Sequence, residues 1–163
     1  MSLRRRELLK AGCGAAALPL LAGAGTAAAK ASEDADLLAK LLSVEQEASL
    51  VYGTLADTPG VPARRFRQQT REHISGLEKA LRNRGGRRLA PTARVGRATP
   101  KQALALEERA IEAYGRVVGD FGDETLLPAL AAAMANHGQH TVVLRLALKR
   151  DPLPAAFPAG GVR

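Results

Sequence analysis

The stretch Glu45-Gln46-Glu47-Ala48-Ser49-Leu50-Val51-Tyr52-Gly53 follows a pattern, Glu-x-x-Ala-x-x-x-Tyr-Gly, that this chain contains twice. The second copy lies 62 positions further along, from Glu107 to Gly115. Each copy is followed by the pattern His-x-x-x-Leu-x-x-Ala-Leu, which starts at His73 and again, 67 positions later, at His140. This repetition indicates that the chain consists of two similar halves, with the difference of five positions taken up in a loop.

Apolar residues around these motifs recur every three or four positions, a spacing that predicts four helices. They run roughly from Glu33 (with Ser32 as N-cap) to Ala56, from Pro62 to Asn83, from Thr99-Pro100 to Gly119 or Gly122, and from Asp123 to Lys149. Glycine- and proline-rich stops follow three of these helices, and such residues end helices for steric reasons. The stops are Asp57-Thr58-Pro59-Gly60, Gly85-Gly86 and Asp151-Pro152.

The connections between these helices predict how they are arranged. Helices one and two are joined tightly, as are helices three and four, so each pair is expected to form an antiparallel hairpin. The fifteen residues of Gly85–Thr99 join the two pairs. At about 3.3 Å per residue they can reach roughly 50 Å, whereas a helix of about 22 residues is roughly 33 Å long. The predicted fold is therefore an all-α, ferritin-like four-helix bundle of two antiparallel hairpins joined by a long crossover.

Composition narrows the fold class further. The chain has 163 residues, enough for one domain with a core, and a formal net charge of +8. Aromatic residues make up only 3%, without Trp, which argues against an all-β sandwich because that class is rich in aromatic and β-branched residues. The single cysteine, Cys13, excludes a disulfide scaffold and a cysteine-ligated zinc site. Beyond the N-terminal segment, no apolar run is long enough to span a bilayer.

The N-terminal segment has basic, apolar and small residues in the order of an export signal. Arg4-Arg5-Arg6-Glu7-Leu8-Leu9-Lys10 resembles the twin-arginine motif, Ala11–Ala29 is weakly apolar, and Ala27-Ala28-Ala29 or Ala29-Lys30-Ala31 supplies a cleavage site. Residues 1–31 are therefore predicted to be a cleaved signal that engages the twin-arginine translocation machinery. The protein is expected in the periplasm, the cell envelope or the extracellular space, with a bundle over 32–157 and an extended tail over 158–163.

Every predicted helix carries an ionisable residue near the middle of its apolar stripe. A buried carboxylate loses several kcal/mol of solvation, so such groups pair, bind metal or become protonated. One such group in each helix, at matched positions of a repeat, predicts that they meet at a common centre. Carboxylate and imidazole ligands suit iron, manganese or zinc better than calcium. The predicted metal ligands are Glu45, His73, Glu107, His137 and His140.

Two further predictions concern side chains around these ligands. Tyr52 and Tyr114 are expected to pack in the core, with each hydroxyl bonded to a nearby glutamate. The stripe of the fourth helix is predicted to contain Leu130, Met134, His137, His140 or Thr141, Leu144, and Ala147 or Leu148.

The chain resembles the bacterial exported ferritin-like domain proteins of the ferritin-like superfamily, over roughly Asp36 to Phe157. The resemblance rests on the paired hairpins, the two Glu-x-x-Ala-x-x-x-Tyr motifs, Arg71-Glu72-His73, Asn136-His137-Gly138-Gln139-His140 and the closing Asp151-Pro152-Leu153-Pro154-Ala155-Ala156-Phe157. It implies a bundle whose di-iron members take one Glu from each of two helices and a Glu-x-x-His from each of the other two. By position, Glu45 and Glu107 match the single glutamates, and His73 and His140 match the histidines.

The sequence departs from that pattern at two positions. Thr70 and His137 stand where the two Glu-x-x-His motifs need their glutamates. Two bridging carboxylates would help to neutralise and hold a pair of iron ions, so their replacement argues against a full dinuclear oxidase or iron-storage centre. A mononuclear site stays open, because His137 and His140 at i and i+3 can share one helix face.

The sequence is compatible with three functions. The first is an exported protein that binds Fe, Mn or Zn, and the second is a non-catalytic structural or interaction module of the cell envelope with a relic polar core. The third is an anion-binding protein that uses the stretch 64–101, which has twelve Lys/Arg against only Glu72 and Glu78. Nucleic acid is not an expected partner outside the cytoplasm. The sequence assigns no catalytic residue, no substrate and no oligomeric state, and it leaves enzymatic activity open.

Overall fold

The computed structural model describes residues 18–87 and 95–153, and of residues 18–28 it describes the backbone alone. Within these ranges the chain is helical and has no β-strand, which confirms the all-α class. The helices are α1 (Leu18–Thr54), α2 (Ala63–Arg82), α3 (Pro100–Asp120) and α4 (Leu127–Ala147), with a single 3-10 turn at Glu124–Leu126. None of the helices in the described part combines the length and apolar character needed to cross a membrane.

The predicted start of the first helix is wrong. Instead of beginning at Glu33 behind an N-cap at Ser32, α1 begins at Leu18 and passes through Ser32 without a break. Alanine has the highest intrinsic helix propensity. Between residue 26 and Ser32 the chain is rich in alanine and contains no glycine or proline that would stop a helix. The Arg4–Lys10 motif and the tail from residue 154 onward lie outside the described residues.

The other helix ends follow their local sequence more closely. Thr99 caps α3 through a capping box, in which its hydroxyl accepts from Gln102 N while Gln102 Oε1 accepts from Thr99 N. Gly85, at a φ of +67°, follows the end of α2 in the left-handed conformation that glycine adopts most easily. The fourth helix starts later than predicted, because Asp123 caps the 3-10 turn and α4 itself begins at Leu127.

The helices pack as two hairpins side by side. Within the pairs α1 packs against α2 and α3 against α4, and α1 also packs against α3. At one end of the molecule, Asp34 of α1 accepts from Gly122 N just beyond α3. At the other end, Ala98 N, just before α3, donates to Thr54 Oγ1 at the end of α1. The α1 and α3 helices are therefore antiparallel.

The interior consists of two apolar clusters, one toward each end of the bundle. The first contains Leu38, Leu41, Leu42, Leu77, Leu81, Tyr114, Val117, Leu130 and Ala133, together with smaller neighbours. The second contains Ala48, Val51, Tyr52, Leu55, Phe66, Ala103, Leu104, Leu106 and Leu144, with others. In α1 the buried Glu45 falls between the two clusters, as do Glu107 in α3 and His137 in α4. A polar layer thus separates two apolar ones.

In the fourth helix the predicted stripe needs a correction. Leu130, His137, His140 and Leu144 are buried as expected. Ala133 takes the inward position rather than Met134, which is only partly buried. Of the alternatives Ala147 and Leu148, Leu148 is partly buried and packs against the second cluster, whereas Ala147 is exposed.

Candidate metal centre

All five predicted ligands meet in this polar layer. Glu45, Glu107, His137 and His140 have at most 1% of their surface exposed, and His73 is partly buried. They come from all four helices: Glu45 from α1, His73 from α2, Glu107 from α3, and His137 with His140 from α4. Direct hydrogen bonds join them into a continuous network. The sequence prediction that these groups share one centre agrees with this placement.

Glu45 accepts three hydrogen bonds through a single carboxylate oxygen. Its Oε1 accepts from His73 Nδ1 at 3.0 Å, from His137 Nε2 at 2.9 Å and from the Tyr114 hydroxyl at 2.6 Å. Its Oε2 is buried and has no hydrogen-bond partner among the described residues. A buried carboxylate oxygen without a donor is costly, so one half of this carboxylate has unused capacity to bind a cation.

Glu107 has a similar set of neighbours but uses both oxygens. Its Oε2 accepts from His137 Nδ1 at 2.6 Å, and its Oε1 accepts from His140 Nδ1 at 3.3 Å. The Tyr52 hydroxyl also donates to Oε1. Glu107 is therefore satisfied on both oxygens, in contrast to Glu45.

His137 lies between the two carboxylates and contacts one with each ring nitrogen. Burial alone would lower the pKa of His137, but its hydrogen bonds to Glu107 and Glu45 and the negative charges of both raise it to about 9. At neutral pH both nitrogens therefore carry protons and both donate. The residue is an imidazolium that holds two buried anions together.

The pKa values of the two carboxylates are lowered, whereas that of His137 is raised. Burial raises the pKa of Glu45, but the hydrogen bonds and charges of His137 and His73 outweigh this effect and bring it to about 2. The pKa of Glu107 is also lowered: burial acts against ionisation, but the hydrogen bonds from His137 and His140 prevail. Both glutamates are therefore ionised across the physiological range.

The two buried tyrosines exchange partners between helices. Tyr52 of α1 donates to Glu107 of α3, and Tyr114 of α3 donates to Glu45 of α1. Burial, followed by the adjacent carboxylate charge, raises the pKa of both phenols, so they remain protonated donors. The prediction that each hydroxyl bonds a nearby glutamate is confirmed.

One residue of the network was missed by sequence reasoning. Gln69 Oε1 lies 3.0 Å from His140 Nε2, the ring nitrogen that does not contact Glu107. By this contact Gln69 fixes the orientation of the ring. The only signal in the sequence is its position four residues before His73, one turn away on the same helix face. A second neighbour, Phe66, stacks on His140 with 3.9 Å between ring centroids.

Among the described residues, two overlapping sets of side chains could hold a metal ion. The first is Glu45, His73 and His137, and the second is Glu107, His137 and His140. Each set offers one carboxylate and two imidazoles within mutual reach of one ion, a donor set that suits zinc, iron or manganese. Thr70, which stands in place of one of the missing glutamates, is fully buried and its hydroxyl has no partner among the described residues.

Comparison with known proteins assigns no family, because no protein-family model and no curated protein matches this chain.

The paired charges predict how the stability of the metal-free protein depends on pH. The raised pKa of His137 stabilises the fold fully below pH 6.5, and this contribution is lost as the pH rises through about 9. A change from 6.5 to about 9 corresponds to about 3 kcal/mol and to roughly 10 °C in melting temperature. The lowered pKa of Glu45 contributes above pH 4.5, and this contribution is lost as the pH falls through about 2.

Thermal melts in the presence of a chelator should therefore show highest stability between about pH 4.5 and 6.5 and a clear decline toward pH 9. The variant His137→Gln should lose most of this alkaline decline. A wild-type melting temperature that stays flat between pH 6.5 and 9 would contradict the assignment of His137 as an imidazolium.

Proposed function

We propose that this protein is an exported, ferritin-like four-helix bundle that binds one divalent transition-metal ion, Fe, Mn or Zn, in the centre formed by Glu45, His73, Glu107, His137 and His140. The observation that carries the proposal is that Glu45 Oε2, an anionic oxygen buried beside two imidazoles, has no hydrogen-bond partner among the described residues. A bound cation would satisfy that oxygen and offset the cost of burying the carboxylate.

The geometry at the two ends of the bundle supports the ferritin-like crossover. Arg84, just after α2, pairs with Asp123 near the start of α4, at the end where Asp34 contacts Gly122. The chain enters α3 at the opposite end, where Ala98 contacts Thr54. Arg84 and Ala98 therefore lie at opposite ends of the bundle, as do the two ends of the connection between the hairpins in ferritin-type folds.

The donor set favours one ion over two. His137 belongs to both candidate sets, and neutral imidazole offers a single lone pair to a metal. The positions where the ferritin-like pattern has bridging glutamates hold Thr70 and His137. Metal binding also requires His137 to release a proton, so we expect affinity to increase with pH.

Zinc titration of the chelator-treated protein at about pH 8, where proton loss from His137 is easier, tests this proposal. We expect one Zn²⁺ per chain by calorimetry. An increase in melting temperature should accompany it and grow with free zinc, because a ligand that binds only the folded state stabilises it. Glu45→Gln should weaken binding at least about tenfold, an effect of about 1.4 kcal/mol.

The matched control is Glu47→Gln, which removes a carboxylate on the same helix that faces outward and pairs with Arg109. This variant should bind zinc like the wild type. Equal loss of affinity in both variants, or no binding of zinc, iron or manganese to the folded wild type, would refute the metal site.

One observation favours a second candidate function. The carboxylates, imidazoles and tyrosine hydroxyls already satisfy most of each other's hydrogen-bonding capacity. Such a network could serve as a metal-free polar core of a structural or interaction module in the cell envelope. This candidate predicts that chelators leave the melting curve of the purified protein unchanged and that saturating metal does not shift it.

Export is the other part of the proposal. It is supported by the Arg4–Lys10 motif and by the burial of the described side chains, because residues 29–33 are exposed or half-buried and buried side chains begin at Asp34. Removal of residues 1–31 would therefore take none of the buried side chains of the described core.

A fusion of residues 1–31 to a folded reporter tests the export signal. We expect the reporter to leave the cytoplasm of a bacterium that has the twin-arginine system. Replacing Arg4, Arg5 and Arg6 with Lys keeps the charge but removes the arginines, and it should retain the reporter inside. Export of the triple-lysine fusion at the wild-type level would refute the twin-arginine assignment.

A further inference from the structure

The two halves of the repeat differ in what lies beside their histidines. Phe66 stacks on His140 with ring planes 25° apart and fills the space next to that ring. The residue that corresponds to Phe66 in the other half, 67 positions later, is Ala133. In the half of the centre that contains His73, a methyl group therefore occupies the position that a phenyl ring occupies beside His140.

The small side chain of Ala133 borders a cavity of about 290 Å³ between α1, α2, α3 and α4. His73 forms part of its wall, with Tyr114 beside it, and Glu72 is the one carboxylate among its lining residues. Aliphatic side chains supply most of the remaining surface. They include Leu38, Leu77, Leu126, Leu130 and Ala133.

The cavity makes the two candidate ligand sets unequal. The side chain of His73 is 17% exposed, whereas those of His137 and His140 are 0% and 2% exposed. The Glu45–His73–His137 set therefore borders the cavity through His73, and it contains Glu45 Oε2, which has no hydrogen-bond partner among the described residues. The Glu107–His137–His140 set is enclosed by Phe66 and Gln69, and both oxygens of its carboxylate are engaged.

We propose that the ion is held by Glu45, His73 and His137, and that the cavity admits a small uncharged molecule with a metal-binding atom to a further coordination position. The inference rests on the proposed metal site. Three protein ligands leave a four-coordinate ion with one position for an exogenous ligand. An apolar cavity excludes charged ligands, because their desolvation there is costly, and a volume near 300 Å³ is at the small end of ligand pockets.

Cobalt(II) bound to the full chain provides the test, because its visible absorption reports coordination number and ligand type. Imidazole is the uncharged probe and azide is the charged one. We expect imidazole to change the cobalt spectrum in a saturable manner, and azide to bind at least about tenfold more weakly because it must lose its hydration in the cavity.

Ala133→Phe places a phenylalanine at the cavity beside His73, at the position that corresponds to Phe66 beside His140. This variant should lower the affinity for imidazole at least about tenfold and leave the affinity for cobalt within about twofold of the wild type. Ala133→Leu provides the same test if the phenylalanine variant does not fold. Phe66→Leu, at the corresponding position beside His140, is the matched control and should bind imidazole like the wild type.

The outcomes separate the two proposals. If no cobalt binds to the folded wild type, the metal site itself is refuted. If cobalt binds but imidazole leaves its spectrum unchanged, or if imidazole binds equally to wild type and both Ala133 variants, only the inference about the cavity is overturned. Azide binding as tight as that of imidazole would also overturn the preference for an uncharged ligand.

Discussion

The structure depends on one imidazolium between two buried carboxylates. Removing Glu45 and Glu107 from water is costly, and the fold meets this cost mainly by placing His137 where each ring nitrogen donates to one of them. Because the three residues come from α1, α3 and α4, the contact fixes the relative height of three helices in the middle of the bundle. The same contact raises the pKa of His137 and lowers those of both glutamates. The stability of the fold therefore depends on pH, and metal binding requires His137 to release a proton.

The repeat explains both the symmetry of this centre and its departures from symmetry. The two halves exchange equivalent bonds, since Tyr52 contacts Glu107 and Tyr114 contacts Glu45. The halves differ at other corresponding positions, among them Thr70 against His137 and Phe66 against Ala133. The first difference supplies the central imidazolium on one side only, and the second leaves a cavity beside His73, whereas Phe66 packs on His140. One half of the centre is thus closed by Phe66, and the other has open space and an oxygen, Glu45 Oε2, without a hydrogen-bond partner among the described residues.

Much of this arrangement could be predicted from the sequence, because a helical period of three to four identifies which residues face inward. That period, together with the matched positions of the repeat, predicted that the five ligands meet at one centre and that each tyrosine bonds a nearby glutamate. It does not specify which residues of neighbouring helices lie at equal height, so it could not show that each tyrosine reaches across to the other half's glutamate. It also could not choose between Ala133 and Met134, which are adjacent on the helix surface. The start of α1 was missed because alanine propagates a helix through Ser32, which looked like a cap.

Nitrogen-15 NMR of the histidine side chains tests the central claim most directly, since the shifts of Nδ1 and Nε2 report protonation and metal ligation separately. In the metal-free protein at about pH 7.5, between the ordinary pKa of histidine and the raised one, we expect His137 to carry a proton on both nitrogens. Saturation with zinc should remove the proton from one of them and shift that nitrogen as a metal ligand. A neutral His137 in the metal-free protein, or a doubly protonated ring that persists at saturating zinc, would contradict the account.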